Sequence, residues 1–154
     1  MRDDLDRYPR SRASIAGHPL HPMVIPFPIT LFVAAFATDV GFLVTGREGW
    51  AAASVWMLGA GLAMAALAAV LGLIDFMGDR AVRGMRPAWL HMLANVMAVL
   101  LEAVNLYMRT TQGATEAVAP AGIILSGVVV LLLVYSGWMG GELVYKRRVG
   151  VAEP

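Results

Sequence analysis

Four stretches of this chain, residues 26–44, 51–76, 88–107 and 119–139, are continuously apolar over lengths close to or above the roughly 20 residues that cross a bilayer as a helix. Hydrocarbon offers no partner to backbone N–H and C=O groups, so such segments must bond internally as helices. The expected fold is therefore all-α and integral to the membrane, a four-transmembrane-helix bundle. Residues 1–25 form a tail and a His-Pro-rich extended lead-in, 26–145 the transmembrane domain, and 146–154 a basic tail. Every polar side chain inside these spans is costly to place in lipid and needs its own explanation.

The composition agrees with this reading. Apolar residues make up 58% of the chain and charged residues 15%, against about 45–50% and about 25% in soluble proteins. With 154 residues there is room for one small bundle and no separate soluble domain. A net charge of +1, with arginines spread among the loops, implies no nucleic-acid partner. The lack of cysteine excludes disulfides, covalently attached haem, iron–sulfur clusters and thiol catalysis. No apolar run precedes the first span, so no signal peptide is expected.

Basic residues sort by loop. Arg2, Arg7, Arg10 and Arg12 precede the first span, Arg80, Arg83 and Arg86 lie between the second and third, and Lys146, Arg147 and Arg148 follow the fourth. The remaining connections hold Arg47 and Arg109. Ten basic residues against two place both termini in the cytoplasm of a bacterial inner membrane. Gly46 and Gly49 flank the first outer turn, Pro87 can open the third helix, and Gly140–Gly141 should end or loosen the fourth. The pairs Gly59/Ala63, Gly61/Ala65, Ala65/Ala69 and Ala68/Gly72 give the second span a small-residue face. That face suits close packing within the bundle or a homo-oligomer contact. No inverted repeat relates the two halves.

The polar residues group by depth. His18 and His21 each precede a proline, which favours extended backbone before the first span. His91, Asn95, Glu102 and Asn105 share one face of the third span, with Ala98 filling the spacing, so that face should look inward. Asp39 and Glu102 both lie about 20 Å from the start of their helices. They are expected as inward-facing neighbours on adjacent helices one and three, sharing a proton, or else each pairs with Arg47 or Arg109. At the other end His18, His21, Asp75 and His91 fall in one layer. Three imidazoles and a carboxylate there suit a transition metal, and two of the imidazoles suit the iron of haem b. Alternatively Arg80, Arg83 or Arg86 bonds Asp75, and the histidines serve an interfacial turn.

Gly17-His18-Pro19-Leu20-His21-Pro22 followed by Phe27-Pro28-Ile29 resembles a bacterial family of membrane proteins known as domain of unknown function 2231. The resemblance continues through Gly72-Leu73-Ile74-Asp75, His91-Met92-Leu93-Ala94-Asn95 and Gly140-Gly141-Glu142-Leu143-Val144-Tyr145, with Val149-Gly150-Val151 behind it. It implies a four-helix membrane fold with no established activity. Members joined to Rieske-type or cytochrome-type domains imply a redox association. The family often has a histidine shortly after the last tyrosine, where this chain has Lys146, Arg147 and Arg148.

Three functions follow from these residues. The first is a haem- or metal-binding accessory of a respiratory or photosynthetic membrane complex, with His18, His21 and His91 as ligands and Asp75 as ligand or support. The second is an oligomeric proton or ion pathway through Asp39, Asn95, Glu102 and Asn105. The third is a structural subunit of a larger complex in the lipid bilayer. No hydrolase or transferase motif is present, and the chain is not expected to be an enzyme on its own.

Overall fold

The computed structural model describes Pro9 and residues 11–151; the charged residues Arg2, Asp3, Asp4, Asp6, Arg7 and Arg10 lie outside the described residues. A two-residue antiparallel ladder, β1 (Ser14–Ile15) with β2 (His18–Pro19), opens the ordered chain. Ala16 and Gly17 turn it with φ of 49° and 78°, the left-handed pair that tight hairpins need. Helices α1 (Leu20–Val24), α2 (Pro26–Thr45), α3 (Glu48–Gly78), α4 (Arg80–Arg83), α5 (Arg86–Gln112) and α6 (Ile123–Gly141) follow. An irregular turn, Val118–Gly122, with Ala119 extended, leads into α6, and a wide turn, Glu142–Lys146, leaves it. Four segments are long and apolar enough to span a membrane: Leu20–Thr45, Glu48–Gly78, Arg86–Gln112 and Val118–Lys146. The chain is a four-transmembrane-helix bundle.

The segment ahead of the first span differs from the sequence expectation. Only His18–Pro19 is extended; His21-Pro22 already lies in α1. Proline tolerates the first turn of a helix, where its missing N–H has no intrahelical acceptor to lose. Pro19 caps α1, Pro22 sits in its first turn and Pro26 begins α2, so three prolines occupy permitted positions along one almost continuous helix. At the far end Gly46, at φ 68°, stops α2 and donates its N–H to Phe42 O at 2.7 Å. The turn to α3 is then two residues long.

The helices form a ring in the order α2, α3, α5, α6. Each of two hairpins, α2–α3 and α5–α6, packs most closely on itself, and the hairpins meet along α2–α6 and α3–α5. Helices α2 and α5 are therefore diagonal, not adjacent as expected, and meet across the centre through long side chains. The second span's small residues pack within the bundle only in part. Gly61, Ala65 and Ala68 are buried within the bundle, whereas Ala63 and Ala69 face outward.

The two hairpins repeat one another in parallel. Pro28, Phe32, Ala35 and Asp39 are the buried residues of α2, and Ala98, Glu102, Asn105 and Arg109, each 70 positions later, are buried in α5. Ser54, Leu58, Gly61 and Ala68 of α3 correspond, 68 positions later, to buried Gly122, Ser126, Val129 and Ser136. Because α2 and α5 run the same way, the relation is a pseudo-two-fold axis along the bundle. Residue types differ at most of these positions, and the repeat lies in which positions are buried.

One end of the bundle is capped by its own tails. Asp75 accepts the Ser11 hydroxyl at 2.9 Å and the backbone N–H groups of Arg12 and Ala13 at 2.7 and 2.8 Å. Ala13 O in turn accepts from Leu20 N, and Pro9 O from Gly150 N. Phe76, Val82 and Ala88 pack with Met85, Met92, Leu143 and Val149 beneath this strap. Replacing Asp75 by alanine should release the strap, because the Arg12 and Ala13 amides lose the carboxylate they share and Ser11 keeps only Ala13 O at 3.2 Å. Hydrogen exchange at the Arg12 and Ala13 amides should accelerate while the centres of α3 and α5 stay protected. Unchanged exchange at those two amides would show that the strap is held by something else.

Candidate functional site

Two polar clusters lie on the pseudo-axis, one at each end, and an apolar layer of Phe32, Ala65, Ala98 and Val129 separates them. The polar line of α5 is thus interrupted at Ala98. Asn95 belongs with the histidines; Glu102 and Asn105 belong with the opposite cluster.

At the capped end the imidazoles of His21 and His91 meet, with ring centres 6.3 Å apart and planes at 88°. These residues are 70 positions apart, and the two hairpins hold them by the same device. His21 Nδ1 lies 2.8 Å from Ala68 O, and His91 Nδ1 lies 2.9 Å from Ser136 O. A carbonyl only accepts, so each Nδ1 carries the hydrogen and each Nε2 is left as the acceptor nitrogen. In both cases the residue four positions after that carbonyl is glycine. A side chain there would lie over the carbonyl: a methyl on Gly72 would come within 2.9 Å of His21, and one on Gly140 within 3.3 Å of His91. Glycine opens the acceptor and seats the ring.

Asn95 completes the cluster. Its Nδ2 lies 2.8 Å from His91 O, 2.7 Å from Ser136 Oγ and 3.2 Å from His91 Nε2. An amide nitrogen has two hydrogens, which the two shorter contacts use. The lone pair of His91 Nε2 is therefore the weakly held member.

The structure does not bring His18 or Asp75 to this pair. His18 is exposed at the hairpin tip, its Nδ1 3.0 Å from Ala16 O. Asp75 is occupied by the strap, and Arg83 donates instead to the carbonyls of Phe76 and Met77. Among the described residues no three His, Asp or Glu side chains gather closely enough to hold a metal ion together. Similar depth was legible from topology. The hairpin turn that carries His18 outward and the strap that engages Asp75 were not.

At the opposite end Asp39 and Arg109 face one another across the axis in a fully buried ion pair, Nη2 to Oδ2 at 2.7 Å. Ser126 donates to the same Asp39 oxygen at 3.1 Å. Asn105 donates to Glu102 Oε2 at 3.0 Å and to Ser126 Oγ at 2.9 Å, and its carbonyl oxygen accepts from Arg109 Nε at 3.2 Å. Of the two arginines offered by the sequence, Arg109 is the partner of Asp39. It is a residue of the span, not of the loop. The sequence reading missed Ser126 and Ser136, and it gave Gly140 a helix-ending role without its place against His91. A signal for the device existed in the spacing Ala68/Gly72, which recurs as Ser136/Gly140.

Comparison with known proteins adds one finding. The family described as "Predicted membrane protein", domain of unknown function 2231, matches residues 17–153. No curated protein and no solved structure matches the chain.

Proposed function

The chain belongs to the family of predicted membrane proteins that carry domain of unknown function 2231, and from that premise we propose that it is a haem-binding electron-transfer component of a bacterial inner-membrane redox complex, with both termini cytoplasmic. His21 and His91 would hold the haem iron in this reading. His18 and Asp75 shape the cap above them rather than bind the iron.

The observation that carries the proposal is the paired histidine geometry. Two imidazoles could share one metal ion, through bonds of about 2.0–2.1 Å, only if their rings lie within several ångströms of one another. The ring centres lie 6.3 Å apart. A tetrahedral zinc would draw them about 1 Å closer and would require further ligands. An Nδ1–H bonded to a backbone carbonyl also fixes the tautomer that a ligating Nε2 needs. Asn95 can release Nε2 without losing a hydrogen bond, since its two shorter contacts remain. Haem held there would supply one-electron transfer, which suits a carrier.

The test is the visible spectrum of the protein purified from cells supplied with haem precursor, read beside His21→Ala and His91→Ala. The wild type should show a Soret band and a low-spin spectrum. Each variant should lose most of the haem or become high-spin, with the helical far-ultraviolet signal kept. A colourless wild type that also fails to take up added hemin would overturn the reading. So would a spectrum indifferent to both substitutions, or stoichiometric zinc in place of iron.

A further inference from the structure

The Asp39–Glu102–Arg109 cluster has no role in haem ligation, and its charges do not balance. Two carboxylates and one guanidinium are fully buried, as are Ser54, Asn105 and Ser126 around them. Arg109 is committed to Asp39. Glu102 receives only a neutral amide hydrogen from Asn105, and its Oε1 has no partner. Asp39 Oδ1 and Ser54 Oγ are likewise unpartnered. Gly61 faces Phe32 and Gly72 faces His21, an antiparallel register that brings Ser54 level with Asp39. Three orphaned oxygens thus lie in the same half of a bundle surrounded by lipid, Ser54 level with Asp39 and Glu102 nearer the level of Phe32.

We propose that this cluster is a proton-binding site, with Glu102 carrying an exchangeable proton on Oε1 at neutral pH. A proton there cancels the surplus negative charge, the state that a lipid-surrounded interior favours. It also turns the orphaned acceptor Oε1 into a donor. Releasing it restores two carboxylates to one guanidinium, so uptake and release change the buried charge by one unit.

The groups facing Glu102 are all accounted for among the described residues. Helix α2 contributes Asp39, α3 Ser54, α6 Ser126, and α5 itself Asn105 and Arg109. No second cation is buried there. A metal cation fits less well than a proton: Asn105 turns its NH2 toward Glu102 and Ser126 and its oxygen toward Arg109, presenting donors where a metal needs acceptors. The apolar layer at Phe32, Ala65, Ala98 and Val129 separates this proton from the histidines. The site stands whether or not haem binds at the other end.

Infrared spectroscopy of the full chain in lipid tests the proposal. At neutral pH a protonated-carboxyl C=O band is expected that shifts down in D2O and is wholly lost in Glu102→Gln. Glu102→Asp retains a carboxyl and should move the band without abolishing it, which guards against a folding defect in the amide variant. A band that persists in Glu102→Gln would place the proton elsewhere and overturn the proposal. So would a wild type with no such band. A band present in potassium buffer and removed by sodium would make the site a sodium site, and the proposal would fail.

Discussion

Replacing Arg109 with methionine is expected to destabilise the bundle by about 3–5 kcal/mol, because it leaves a buried carboxylate without its counter-charge. Methionine nearly keeps the volume, so the loss reports charge and hydrogen bonding rather than a cavity. Asp39 would retain only the Ser126 hydroxyl at 3.1 Å, and Asn105 would lose the Arg109 Nε–H that its oxygen accepts at 3.2 Å. Removing both charges should behave differently. The pair already pays the cost of leaving water, so Asp39→Leu with Arg109→Met should recover most of the loss, to within about 1–2 kcal/mol of wild type. Denaturant unfolding in detergent of the two single variants and the double variant measures the coupling directly. A single Arg109→Met effect below about 1 kcal/mol would mean that water reaches the pair. The pair joins equivalent positions of the two hairpins, so its geometric consequence is to fix how one hairpin sits against the other.

That relation explains what the sequence made legible and what it did not. The four helices follow from the length of the apolar runs, because lipid leaves the backbone no alternative. The meeting of His21 and His91 follows from depth, since both sit at the start of helices that run the same way. Ring order is another matter. Depth says nothing about azimuth, and so α2 and α5 were expected side by side when they are diagonal. Arg109 was assigned to a loop because an isolated arginine is too costly for lipid. Its place inside becomes reasonable only with Asp39 opposite. The parallel repeat was hidden because it is written in burial, where Asp39 answers Arg109 and Phe32 answers Glu102, and few residue types match. Asp75 was misjudged for a simpler reason: beside the Ser11 hydroxyl its partners are the backbone N–H groups of Arg12 and Ala13, which no side-chain pattern announces.

Reporter fusions should give an all-or-none result: a fluorescent protein joined after Pro154 should shine, and a phosphatase that folds only outside the cytoplasm should be active in the 113–117 loop and silent at both termini. The basis is the distribution of basic residues, which the structure sharpens. Arg109 lies buried in its ion pair, so it no longer counts as a loop charge. Ten basic residues in the two tails and the connection between the second and third spans now oppose Arg47 alone. Neutralising Arg80, Arg83 and Arg86 together still leaves seven against one, and the orientation should hold. Arg109→Met should not alter it at all, although it weakens the fold. Phosphatase activity at either terminus would invert the molecule. With the expected orientation, the paired histidines lie toward the cytoplasmic face. The Glu102 carboxyl then lies toward the opposite side, beyond the apolar layer of Phe32, Ala65, Ala98 and Val129.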